Sequence, residues 1–239
     1  MSNIWFTGDT HYGHKNIVRG TSEWSDTKRC RDFDTMQEHN EAIVNGINEH
    51  AEQNDILYHV GDWSFGGLEN LWNFRKRIVC RNIFLCLGNH DHHIEKGKIL
   101  PNCIKSPSSP AVLSIGDIQD APHPKYGKDA HYYTGSVWAQ ELFEDVKDVM
   151  LIKISKHKYF FLSHYSHRVW AGSNKGVPHL YGHSHGTIPD FGKSMDIGVD
   201  VAFAKFGQYR PFSLDEIRDI MKRKKTEFPD HHDERTNWK

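Results

Sequence analysis

Five short apolar runs in this chain each stop at side chains that bind metals: Asp9-Thr10-His11, Gly61-Asp62, Gly88-Asn89-His90-Asp91, Ser163-His164 and Gly182-His183-Ser184-His185. Buried carboxylates and imidazoles need a charge partner. A fold that gathers such endings therefore has to place something cationic among them. Singly, each has a plain explanation: a polar turn at Asp9, a strand-to-helix turn at Gly88, a solvated connector at Gly182. Together, the plain account needs five coincidences. They describe a pocket of Asp, Asn and His that holds two divalent metals side by side.

The segments between the motifs say how the endings meet. Residues 3–7, 56–60 and 83–87 read as buried strands, each followed by a motif glycine. Between them, Met36, Ile43, Ile47 and Ala51 keep helical spacing over 36–51 behind a Thr35-x-x-Glu38 capping box. Residues 68–78, with Leu71, Trp72 and Phe74 among Arg and Lys, read as an amphipathic helix. This β-α-β-α-β order predicts parallel strands with right-handed crossovers, and ligands collect beyond the carboxyl ends of such strands. Further on, residues 149–154 and 159–162 flank Lys156-His157-Lys158 as an antiparallel hairpin. Residues 180–181 and 195–201 read as two more strands, and Ser213-x-x-Glu216 opens a helix through about Met221.

Length sets one domain as the expectation, spanning 1–225, with an elaborated loop region at about 101–145 and a charged, mobile tail over 226–239. Within that region 111–115 is strand-like, and 111–133 is expected to cap the pocket and favour small substrates. A net charge of -1 gives no bulk attraction to nucleic acid or an acidic membrane. No apolar run is long enough to span a bilayer. Residues 1–6 lack the basic and apolar regions of a signal peptide. Cys30, Cys80, Cys86 and Cys103 show no CxxC spacing, so free thiols in a cytoplasmic protein are expected, with Cys80 and Cys86 as core filler.

The chemistry follows from the donor types. Asp9 and His11, two residues apart, reach one ion from the same side of an extended segment, and His183 and His185 can do the same or serve two neighbouring ions. Asp62 is placed to bridge, while Asn89 and His164 add an amide oxygen and an imidazole. Mixed N/O ligation without thiolate suits Mn above all, with Fe, Zn, Ni or Co as alternatives. Two ions roughly 3.5–4 Å apart acidify a shared water and offset charge on phosphoryl oxygens. His90 is positioned to protonate the leaving oxygen, with Asp91 orienting its ring.

The series Asp-x-His, Gly-Asp, Gly-Asn-His-Asp, His, Gly-His-x-His resembles the calcineurin-like metallophosphoesterase superfamily, from residue 3 to about 201, and in particular its small bacterial and phage members. The resemblance implies an α/β fold, a two-layer sandwich of mixed β-sheets flanked by α-helices. It implies one metal on Asp9, His11, Asp62 and His185, and a second on Asp62, Asn89, His164 and His183. It also implies His90 as proton donor and Asp91 as its partner. The extended first motif adds His14 and Lys15 as candidate substrate contacts, and His167 and Arg168 follow from their place after His164.

The expected activity is metal-dependent phosphoester hydrolysis. A phosphodiesterase is favoured, because a proton donor matters most for a poor alkoxide leaving group. The alternatives are a nuclease on DNA or RNA ends and a catalytically inert scaffold of the same family. A small-molecule or nucleotide phosphate ester is the expected partner; long nucleic acid stays open, and neither membrane nor protein partner is inferred.

Overall fold

A computed structural model describes residues 2–99 and 137–227. Residues 101–136 of the expected loop region, the strand-like 111–115, Cys103 and the tail beyond residue 227 lie outside the described residues.

The chain alternates strand and helix through its first third. Strands β1 (Ile4–Thr7), β2 (Ile56–His59) and β3 (Asn82–Cys86) pair in parallel, with Phe6 opposite Tyr58 and Tyr58 opposite Phe84. The crossovers contain helices α1 (Met36–Asn48) and α2 (Leu68–Arg75). The capping box at Thr35 and Glu38 is formed in both directions, which satisfies two backbone donors that the first turn of α1 leaves over. A short helix α3 (His92–Lys96) follows the third motif, and strands β4 (Lys98–Ile99) and β5 (Val137–Trp138) pair antiparallel. Strand β6 (Asp145–Lys147) joins β3 in parallel.

The second sheet begins with the expected hairpin, β7 (Val149–Ser155) against β8 (Lys158–Ser163). Strands β9 (His179–Tyr181) and β10 (Ser194–Asp196) then add in parallel. Here one expectation is corrected. Residues 195–201 are not a single strand: β10 stops at Asp196, and helix α4 (Val199–Phe206) starts three residues later from Gly198. The apolar run hides a change of period, because Ile197-Gly198 turns the chain and Ala202 then returns a buried side chain one helical step after Val199. Strand β11 (Phe212–Ser213) pairs antiparallel with β1, and helix α5 (Leu214–Lys222) begins at the second capping box.

The result is a two-layer sandwich of mixed sheets, ordered β11-β1-β2-β3-β6 and β10-β9-β8-β7, with flanking helices. Period-2 alternation along the first sheet splits the core in two. Leu57, Ile83 and Leu85 face α1 and α2, meeting Ile43, Ile47, Leu71 and Phe74. On the other face Phe6, Tyr58 and Phe84 form a cross-strand aromatic ladder, with ring centroids 5.5 and 5.1 Å apart. Phe6 carries it on to Phe160 of the second sheet at 5.7 Å. Cys80 and Cys86 are free and buried as expected, and burial pushes the Cys86 thiol up to about 12. Among the described residues, no helix is long and apolar enough to cross a membrane.

Candidate metal centre

All five motifs lie beyond the carboxyl ends of β1, β2, β3, β8 and β9, so the two sheets face each other across them. The first two run side by side: Asp9 N–H donates to Gly61 O at 2.9 Å and His11 N–H to Asp62 O at 3.0 Å. Gly182 N–H donates to His164 O at 3.0 Å, which ties the fourth motif to the fifth.

The backbone is strained where the donors sit. Among the described residues, the non-glycine positions with positive φ are Asp9, His11, Asp62, His183, His185 and the hairpin-turn residue His157. Left-handed backbone costs a non-glycine residue on the order of 1–3 kcal/mol. Five of these six positions carry motif donors, so the surrounding structure holds each donor against its own preference.

Three overlapping groups of ligand atoms result: Asp9, His11 and His185; His11, Asp62 and His90; Asp62, His164 and His183. His11 Nε2 lies 3.3 Å from His185 Nε2 and 3.4 Å from Asp62 Oδ2. On the far side of Asp62, His164 Nε2 is 3.6 Å from the same Oδ2. Asn89 Oδ1 lies 3.0 Å from His164 Nε2 and 2.9 Å from His183 Nδ1. Asp62 thus stands between two clusters.

These donors fit divalent ions. Asp9 is fully buried, and its Oδ2 has no hydrogen-bond partner among the described residues. Burial raises its pKa well above the usual carboxylate range, against the pull of His185. Burial, then Arg31 and His185, hold His11 well below an ordinary imidazole, and burial also lowers His164. His11 and His164 are therefore held toward the neutral form that ligates, while hydrogen bonding to Asp200 and the nearby Asp9 raise His185 against its burial, and a buried carboxylate oxygen lacks a partner. A divalent cation answers both.

Outer contacts fix the tautomers. His164 Nδ1–H donates to Val60 O at 2.8 Å, and His185 Nδ1–H to Asp200 Oδ2 at 2.6 Å, leaving each Nε2 lone pair for the cluster. His11 Nδ1 lies 3.3 Å from His14 Nδ1. His14 stacks on Phe65 at 4.1 Å and lies 5.6 Å from His90, and burial, then His90 and Arg31, lower it to about 4.

Other candidates fall elsewhere. Asp91 was expected to orient His90, but it is fully buried with its oxygens on backbone amides: Oδ2 accepts from Asp62 N–H at 2.7 Å and Gly88 N–H at 2.9 Å, Oδ1 from Trp63 N–H at 2.9 Å. It ties the second motif to the third. Lys15 pairs with Glu23 at 2.5 Å, both side chains more than half exposed. The guanidinium of Arg168 lies 3.9 Å over the Phe191 ring, and His167 packs edge-on against Phe161 and His179. Of the four proposed substrate contacts, only His14 touches the cluster, because the other three have partners elsewhere: Glu23 for Lys15, Phe191 for Arg168, and the strand residues Phe161 and His179 for His167. Sequence reasoning missed Tyr165, whose ring lies 4.6 Å from His183 and 5.0 Å from His164. It also missed Arg31 and Asp200 behind His185.

The profile of the calcineurin-like phosphoesterases matches residues 2–227. The chain is similar to the Gene 66 protein of Mycobacterium phage L5, 24% identical over 251 aligned positions that cover 92% of this chain and 95% of the phage protein. Its fold is similar to the crystal structure of a protein of unknown function from Aquifex aeolicus, with a TM-score of 0.51 and 17% identity over 92% of this chain and 100% of that one.

Proposed function

The chain belongs to the calcineurin-like phosphoesterase family, and from that membership we propose that it is a dinuclear-metal phosphodiesterase acting on small-molecule or nucleotide substrates. What carries the proposal is Asp62, buried between two clusters of imidazoles, with an unpartnered Asp9 oxygen in the first. Asp9, His11, Asp62 and His185 would hold one ion, and Asp62, Asn89, His164 and His183 the other. Two such ions, when bound, activate water and offset charge on phosphoryl oxygens; Mn is our first choice, with Fe, Zn, Ni or Co as substitutes.

The protein's own contribution is placement. His90 N–H donates to Asp62 Oδ1 at 2.9 Å, which anchors the residue beside the central carboxylate. Its ring is half-buried, 5.4 Å from that of His11 and 5.2 Å from Phe65. Held there, the imidazolium gives its proton to the departing alkoxide oxygen. Phe65 and Tyr165, both exposed, would frame the substrate on either side. The preference for small substrates rests on the sequence of residues 111–133, and the cytoplasmic setting on the free thiols.

The test is a metal-reconstituted screen of bis-p-nitrophenyl phosphate, p-nitrophenyl phosphate, cyclic mono- and dinucleotides and short oligonucleotides, run with His90→Ala alongside. Turnover of diesters above monoesters is expected. His90→Ala should lose about 10²–10⁴-fold on nucleoside-leaving esters and far less on p-nitrophenyl esters, whose leaving group needs no proton. An equal loss on both ester classes removes His90 as the acid. Turnover of nothing in the panel favours the inert scaffold.

A further inference from the structure

The geometry points to Arg31 and Asp200 as positioning residues that hold Asp9 and His185 in register for one of the two ions, and not for the other. This rests on the dinuclear reading above.

Arg31 is buried, and all five of its N–H donors are engaged. Nε donates to Asp200 Oδ1 at 2.9 Å and Nη2 to Asp200 Oδ2 at 2.8 Å, a bidentate fork. The remaining Nη2 proton goes to Asp9 O at 2.5 Å, and Nη1 donates to Thr10 O at 3.0 Å and His39 Nε2 at 2.8 Å. One side chain thus holds the two carbonyls that lie between the strained Asp9 and His11 positions. The arginine is itself fixed, because Arg31 N–H donates to Ile17 O at 2.7 Å and Arg31 O accepts from Arg19 N–H at 3.0 Å.

The two ends of this fork reach different parts of the ion site. Asp200, in the first turn of α4, also accepts from His185 Nδ1–H, so the arginine fixes the carboxylate that fixes the imidazole. A carboxylate on the far nitrogen of a ligating histidine sets its tautomer and raises its basicity. On the other side, His39 Nε2 accepts from Arg31 Nη1, and its Nδ1–H lies 3.2 Å from Asn40 Oδ1. Asn40 Oδ1 accepts from Gly13 N–H at 2.9 Å. The 9–13 loop is therefore held at both ends by one connected set of bonds. The rings of His164 and His183 make no bond within this set: His164 Nδ1 is held by Val60 O and His183 Nδ1 lies on Asn89 Oδ1, and His183 meets the set only through its backbone N–H, which donates to Asp9 Oδ1 at 2.9 Å. Of the ligand imidazoles, only the His185 ring is bonded directly to the set, so the coupling acts first on the His185 side.

The test is stepwise Co²⁺ binding to the full chain, followed by calorimetry and by visible absorption, which reports the ligand field at each step. Asp200→Asn preserves shape, and Arg31→Lys keeps the buried cation should the first variant not fold. One of the two ions should weaken about 10–100-fold while the other stays within about threefold. In a His185→Ala background, Asp200→Asn should add much less than it does in the wild type, since its direct route to the ion is gone and only the route through Arg31 to Asp9 is left. Equal weakening of both ions in step with a fall in Tm, unchanged binding of both, or full additivity with His185→Ala overturns the assignment. Wild-type protein that takes up no Co²⁺ overturns the dinuclear reading itself, and this assignment with it.

Discussion

A Cβ on Gly88 would sit 2.3 Å from Asp62 Oδ1 and 2.4 Å from Asp62 N. The third motif begins with glycine because the central carboxylate passes directly over it. Gly88→Ala is therefore expected to displace Asp62 and to abolish uptake of both ions together, counted per chain by elemental analysis after gel filtration. Two ions retained would show that Asp62 moves without loss. This residue scale is where the sequence was most legible. Few side chains ligate hard or borderline metals, and here they come in local motifs beside the glycines that make room for them. The outer supports were not legible. Arg31 and Asp200 are 169 residues apart, and nothing near either one marks the pair. Asp91 misled for the opposite reason: it follows His90 directly, yet its carboxylate turns back onto three amides.

Among the elements, helices with capping boxes were read with their starts in place, because Thr35 and Ser213 show in sequence the same bonds they make in the fold. Elements that depend on distant partners were missed. Strand β11 is two residues long and exists only by pairing with β1, and α4 was hidden in an apolar stretch. Strand β9 owes part of its docking to His179, whose Nδ1–H meets Phe161 O at 3.3 Å while Nε2 accepts from His167 N–H at 3.0 Å. The bond accepted by Nε2 needs the neutral ring, and burial lowers its pKa from 6.5 to about 4. Because the folded value lies below the unfolded one, the unfolded chain binds the extra proton between them. The contribution of His179 is complete above pH 6.5 and lost as pH falls toward 4. Urea unfolding of wild type and His179→Gln at pH 7.5 and pH 5 should show their stability difference shrinking by about 2 kcal/mol at the lower pH. A difference that does not change with pH would mean the ring is protonated without penalty.

At the scale of the whole molecule, the donors come from both layers: Asp9, His11, Asp62 and Asn89 follow strands of the first sheet, and His164, His183 and His185 follow strands of the second. The parallel half of this architecture was readable from β-α-β alternation. The face-to-face pairing of the sheets was not, because the aromatic ladder from Phe84 through Tyr58 and Phe6 to Phe160 is a tertiary contact. Ions bound across such a seam would clamp the layers at one end, where the backbone is strained and imidazoles sit beside buried carboxylates. Binding that exists only in the folded state adds about 2.7 kcal/mol per ion at a hundredfold excess over Kd. For a chain of this size each kcal/mol is about 2–4 °C in Tm. Stripping both ions with a chelator should therefore lower Tm by about 10–20 °C, and added Mn should restore it. His90→Ala separates two roles for that imidazole, since it lies in ligand reach of His11 and Asp62. If the ring is kept for the substrate, the variant retains the full Mn-dependent shift while losing turnover of poor-leaving-group esters. If the shift falls with the activity, His90 is a ligand, and the proton for the leaving oxygen has to come from elsewhere.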